Sequence, residues 1–187
     1  QVWRPIATCG LYVPAGTAPL VSTLIMLAEP ARVAGGRDRV ITTAPGEGGA
    51  PHPAMIAAAA ACGLDRLWLI GGAQAIVALA LGVWTPKAQK IFGPGNAYVA
   101  EAKRQAAALP GGPAIDLPAG PSELMVIADR GANAAMVASD LLSQAEHDAD
   151  AQVVLVSTSD ELIADVEKQL ERQLSGLPRE AIARRSI

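Results

Sequence analysis

The segment SQAEH, Ser143 to His147, brings a carboxamide, a carboxylate and an imidazole together near the end of an apolar helical pattern. At about 3.6 residues per turn, Gln144 and His147 are three apart and share a helical face, with Asp140 four residues before Gln144. Val137 and Leu141 take the neighbouring apolar stripe, and Glu146 points elsewhere, as a surface residue. Two chemistries fit. Gln144 and His147 could be half of a metal site, or they could form a polar helix end, where an imidazolium favours the negative pole. Spacing alone favours the second, since the pattern falls short of HExxH. A tetrahedral zinc takes about three or four protein ligands. The other histidine, His52, sits beside Pro53 in an N-cap-like position, so these residues do not complete such a site alone.

Other polar residues fall at glycine-rich turns: VPAGTAP, IGGAQ and FGPGNAY, each directly after a strand-like run. In open α/β sheets, ligands collect at the carboxyl ends of strands, where glycine lets a backbone approach and helix N-termini present free N–H groups. None of the three turns is GxGxxG, and none carries the Walker lysine. Tyr12 ends a strand, Gln74 lies in the first turn of a helix, and Asn96 follows Pro94 and Gly95 at an N-cap. Asn96 has a structural duty as a cap. Tyr12 and Gln74 have none that the sequence discloses, and their placement points to ligand contact. In DLPAGPSE, two prolines and a glycine fix a turn that either presents Ser122 to a substrate or simply stiffens a domain seam.

The elements that must position these residues alternate. GLYV, RVITTA, RLWLI, KIFG, AIDL, LMVIA and QVVLVS read as strands, separated by longer helical patterns. This order predicts an α/β fold with a mostly parallel sheet covered by helices on both faces. Pro30 is expected to kink or divide the first helix, because its ring removes a donor. Between Ala114 and Asp129 two strand-like runs adjoin with only PAGPSE between them, too short for a crossover. The expected organisation is a Rossmann-like domain of β/α repeats over residues 1–120, then part of a second α/β domain over 121–187. In DELIADVEKQLERQL, the residues Leu162, Ile163, Val166, Leu170 and Leu174 share a face. That stripe is expected to meet parts of the fold lying outside these residues.

Composition narrows the partners. With 51% hydrophobic residues, 3% aromatics and a net charge of −3 over 187 residues, the chain can bury a sizeable aliphatic core but offers no basic surface for nucleic acid. The longest apolar run, PAMIAAAAACGL, is too short to span a bilayer, so no membrane contact is expected. The start has no charged region leading into an apolar one, and it begins as if cut from a longer chain. Cys9 and Cys62 stand alone, as buried thiols in a reducing cytoplasm would.

Five segments, GLYVPAGTAPL, GGAQAIVALALG, KIFGPGNAYVAEAKRQ, AIDLPAGPSELMVIAD and ASDLLSQAEHDADAQV, together resemble histidinol dehydrogenase, in the same order and with compatible spacing as far as about Ser157. The resemblance implies a zinc-dependent, homodimeric, cytoplasmic enzyme of histidine biosynthesis. Such an enzyme oxidises L-histidinol to L-histidine in two hydride transfers to two NAD molecules, through an aldehyde-level intermediate. Position by position, it implies that Tyr12, Gln74 and Asn96 contact NAD and that Ser122 contacts the substrate. Gln144 and His147 become zinc ligands that also line the substrate site. The family's Glu-His base pair and its remaining metal ligands, an Asp and a His, match nothing here, so no catalytic residue is expected in this segment and the chain alone should be weak or inactive. Ala15 stands where many relatives have Gly. Two other readings are a sibling dehydrogenase of another small amino alcohol or diol, and a non-catalytic dinucleotide-binding or assembly module.

Overall fold

The computed structural model describes residues 2–15, 19–117 and 122–187. The chain divides into two compact units, Gln1–Gly120 and Pro121–Ile187. The expected seam near Gly120, and residues 16–18 of the first glycine turn, lie outside the described residues.

In the first unit, β1 (Thr8–Val13), β2 (Asp38–Thr43), β3 (Lys90–Phe92) and β4 (Ala114–Ile115) form a parallel sheet in the order β2-β1-β3-β4. Such a sheet needs cover on both faces, and β1 is buried along nearly its whole length. Helices α1 (Val21–Val33) and α2 (Pro53–Ala61) enclose one core with Cys9, Leu11, Val13 and Ile41. On the other face α3 (Gly72–Leu81) and α4 (Ala97–Ala108) meet Tyr12, Val40 and Ile91. Leu24, Ile41, Ile76, Leu79 and Ile91 are fully buried. Each contributes about 1.5–3 kcal/mol relative to an exposed side chain.

Two expectations for this unit need correction. RLWLI is not a strand: only Trp68 joins the sheet, as an isolated parallel bridge to Thr42. The Trp68 carbonyl accepts from both Thr43 N–H and Ile70 N–H, so the chain folds back on itself and leaves the ladder within two residues. Pro30 does not divide α1, which runs unbroken to Val33. The proline is exposed in the last turns, and the residue whose carbonyl it deprives of a donor, Met26, is exposed as well, so water can serve that group.

In the second unit, β5 (Glu123–Ala128) pairs in parallel with β6 (Gln152–Ser157) through the crossover helix α5 (Ala134–Ala145), followed by α6 (Asp160–Leu174) and α7 (Glu180–Ser186). Asn133 caps α5 and Ser159 caps α6 with their side-chain oxygens. The stripe expected to await outside parts is used internally: Leu162 and Val166 pack with Val137, Ala138 and Leu141, and Leu174 packs with Leu142, Ala145 and Ala183 of α7. Ile163 sits only partly buried at the margin of that stripe. The sheet is covered on one face only. Met125 and Ile127, opposite Val154 and Val156 in the ladder, carry their side chains to the exposed face. Among the described residues, no helix is long and apolar enough to cross a membrane.

Candidate functional site

Tyr12 is the centre of the polar arrangement in the first unit. It is the penultimate residue of β1, and its ring is buried among Ile76 and Leu79 while its Oη accepts from Gly72 N–H at 3.2 Å. Tyr12 therefore has the structural duty that the sequence did not disclose: it satisfies one of the orphan N–H groups at the start of α3. Accepting there leaves its own O–H proton to donate. Around that bond the backbone is constrained to glycine. Gly71 lies against Ala44 so closely that a Cβ would come within 2.6 Å of the alanine methyl, and Gly72 has φ +64. Gln74 follows in the first turn, exposed, with its Oε1 folded back beside Gly72. Ala15 forms an isolated bridge with Pro19, and its φ is not positive, so this position demands no glycine.

The turn after β3 arrives at the same place. Gly93 is seated against the Tyr12 carbonyl with φ +124, and three residues later Asn96 accepts from Val99 N–H at 3.1 Å to cap α4. The structural duty of Asn96 is thus real, and its amide nitrogen is not used in that cap. Tyr12 near the end of β1, Gln74 in the first turn of α3 and Asn96 at the cap of α4 are widely separated in sequence but lie at the carboxyl edge of the sheet, and the glycines before Gln74 and Asn96 touch Tyr12 directly.

Sequence reasoning missed the group that holds the third turn. Lys103 of α4 is only 2% exposed. Its Nζ donates to the Gly93 carbonyl and, at 2.7 Å, to Asp116 Oδ1, while Asp116 Oδ2 accepts from Gly93 N–H at 2.7 Å. A signal was present: Lys103 stands four residues after Val99 and three before Ala106, on the buried stripe of α4. Burial pushes the Asp116 carboxyl up, but hydrogen bonds from Lys103 and from Gly93 and Leu117 N–H, with the Lys103 charge, hold it below the ordinary carboxylate range. A depressed folded value means stability that is present above the unfolded pKa, about 4, and is lost as pH falls through the lower folded value. Asp116→Asn should accordingly lower the urea midpoint at pH 7, with the gap to the unaltered chain closing below about pH 4. A gap independent of pH would contradict the assignment.

In the second unit, the topology puts Ser122, Gln144 and His147 toward the amino ends of the strands. Ser122 precedes β5 and its carbonyl accepts from Gln152 N–H at the start of β6. Since α5 runs antiparallel to β5, its C-terminal residues return to that same end. The helix stops sooner than the pattern suggests: Glu146 is the C-cap and is half-buried rather than a surface residue, and His147 lies beyond it. His147 N–H bonds to the Gln144 carbonyl at 3.1 Å, which keeps the two residues one turn apart despite the helix end. The His147 ring is exposed. Gln144 is half-buried, and its Nε2 is buried with no hydrogen-bond partner. A buried Nε2 of this kind, without a partner, has a cost that its own unit does not offset. Among the described residues no group of three or more His, Cys, Asp or Glu could hold a metal. Gln144 and His147 can thus contribute two neutral donors.

The remaining candidates fall away. His52 caps α2, with Nδ1 accepting from Ala54 N–H at 3.2 Å. Cys9 and Cys62 are buried, and burial pushes both thiols up and away from reactivity. A cavity of about 640 Å³ lined by Trp3, Met26, Leu27 and Phe92 lies against α1.

The sequence model of the histidinol dehydrogenase family matches residues 1–187. The chain is 56% identical to a histidinol dehydrogenase of Xanthomonas oryzae pv. oryzae over all of its own length and 43% of that protein's. It is 51% identical to one from Salmonella choleraesuis, again over its full length and 42% of the relative's. A crystal structure of histidinol dehydrogenase from Elizabethkingia anophelis superposes on 98% of the chain with a TM-score of 0.93 at 48% identity, covering 42% of that chain. The chain spans less than half the length of these relatives. With its α/β fold and its residues matched from first to last, it belongs to the histidinol dehydrogenase family.

Proposed function

We propose that this chain supplies the dinucleotide-contacting part and half of the zinc site of a cytoplasmic, homodimeric enzyme of histidine biosynthesis that oxidises L-histidinol to L-histidine. The overall change removes two hydrides, one to each of two NAD molecules, with water entering at the aldehyde level. The observation that supports the reading is the pairing of Gln144 with His147, held one turn apart at the end of α5 by the bond from His147 N–H to the Gln144 carbonyl.

In this reading Tyr12 donates its free O–H to the dinucleotide, and Gln74 and Asn96 offer carboxamides from the first turn of α3 and the cap of α4. Ser122 presents its hydroxyl to the substrate. Gln144 Oε1 and a His147 ring nitrogen hold zinc. Being neutral ligands, they leave the metal Lewis acidity with which to fix the imidazole and amine of the substrate. The residues of this chain then orient the carbinol carbon rather than move its proton, so the gain is one of positioning. Completion of the second unit, whose sheet keeps an apolar face exposed, falls to the additional length that the relatives possess.

The test compares this chain with one extended to the full length of its relatives. The extended chain should hold zinc and reduce NAD with histidinol. The 187-residue chain should hold zinc only weakly and show weak turnover or none. Robust NADH formation from the short chain, or an extended chain active without zinc, would overturn the proposal.

A further inference from the structure

We propose that Lys103 and Asp116 are positioning residues for the dinucleotide, clamping the two peptides that flank Gly93 so that the turn leading to Asn96 is held in a single orientation. This inference rests on the dinucleotide reading above. Gly93 lies one residue beyond the end of β3, and both of its backbone groups are taken by charged side chains rather than by neighbouring strands: its N–H by Asp116 Oδ2, its carbonyl by Lys103 Nζ. The two side chains are joined to each other at 2.7 Å, which closes the clamp. On its remaining side Gly93 abuts the Tyr12 carbonyl. Beyond it, Gly95 is pressed against Val99, and Asn96 caps the Val99 N–H. Every link from Tyr12 to the start of α4 is therefore fixed.

Stability alone gives little reason to place an ion pair here. Two charges taken out of water recover their desolvation only partly, and apolar residues of equal volume often serve as well or better. What a charged clamp provides is direction. It sets the planes of the two peptides that meet at Gly93, and through them the position of a side chain three residues away, on which the binding of a planar, multiply hydrogen-bonded ligand depends.

The experiment uses four variants of the chain. Lys103→Met keeps the apolar stem and removes the charge. Lys103→Met/Asp116→Leu removes both charges, so that no lone ion stays buried. Lys103→Arg keeps the charge, and Val40→Ala weakens the same unit away from the turn. NAD affinity is measured by titration at matched fraction folded, and exchange of the Gly93 amide by NMR. Both variants lacking the Lys103 charge should bind NAD about tenfold more weakly than Val40→Ala, with partial recovery in Lys103→Arg. Gly93 exchange should accelerate in those two variants only. NAD affinities equal to that of Val40→Ala, or an unchanged Gly93 exchange rate in Lys103→Met, would overturn the clamp while leaving the dinucleotide reading in place. An unaltered chain that fails to bind NAD at all would instead mark failure of the dinucleotide reading, and the positioning role would fall with it.

Discussion

Gly93→Ala should lower the melting temperature of the first unit by roughly 10–20 °C, followed by circular dichroism. Two costs add. The backbone at φ +124 is one that L side chains rarely adopt, and the new methyl would overlap the carbonyl oxygen of Tyr12 and lie 2.9 Å from its carbonyl carbon. That carbonyl belongs to the central strand of the sheet, which is paired on both sides, so neither partner can yield without opening the ladder. Strain and overpacking together cost about 3–5 kcal/mol. Gly48→Ala is the control. Gly48 also has positive φ, at +77, but nothing lies within 4 Å of an added Cβ, so only the backbone penalty of about 1 kcal/mol applies. Equal losses in the two variants would show that φ alone matters and that the contact with Tyr12 is not rigid.

The second large effect separates binding from stability. In the chain extended to the length of its relatives, Gln144→Leu and His147→Ala should each weaken zinc retention by about 100-fold or more, read as metal content after dialysis. Neither should destabilise the fold. His147 is exposed and lies past the end of α5, where truncation typically costs within about 0.5 kcal/mol. Removing the unsatisfied Nε2 of Gln144 is neutral or stabilising in the metal-free protein, since an apolar side chain leaves no orphan behind. A glutamine retained for packing predicts the reverse, a lower urea midpoint with zinc content untouched. That pattern would remove Gln144 from the metal site.

Much of this molecule is legible in its sequence because the relevant signals are local. The β-branched runs of β1, β2 and β6, and the alanine- and leucine-rich stretches of α3 and α5, declare their elements by composition and spacing. Asn96 and His52 declare themselves as caps. What stays hidden depends on partners distant in the chain. RLWLI has the residues of a strand, but only Trp68 finds partners, at Ile41 and Thr43 some 25 residues earlier, before the backbone turns back at Ile70. The Tyr12 hydroxyl looks unemployed until α3 is brought beneath it, a contact spanning Tyr12 to Gly72. Lys103 is written on an apolar stripe, yet only the fold shows that Asp116 and the Gly93 peptide are what it meets there. In α6, the stripe from Leu162 to Leu174 was readable, but its destination was not: α5 and α7 cover it.

The strand order β2-β1-β3-β4 also has a consequence for how the first unit comes to be folded. β1 is central in space but precedes all of its partners in sequence, and its ladder to β3 joins Cys9 to Lys90. One side of β1 therefore waits for a long loop to close, whereas β5 and β6 meet across a single helix. Loop-closure entropy comes before the reward of the contacts, which makes such distant parallel pairing slow and leaves its apolar edge open in the meantime. The strand that carries Tyr12 is thus the one whose surroundings are finished late, and the turns at the carboxyl edge can only take shape after nearly the whole unit has been assembled around it.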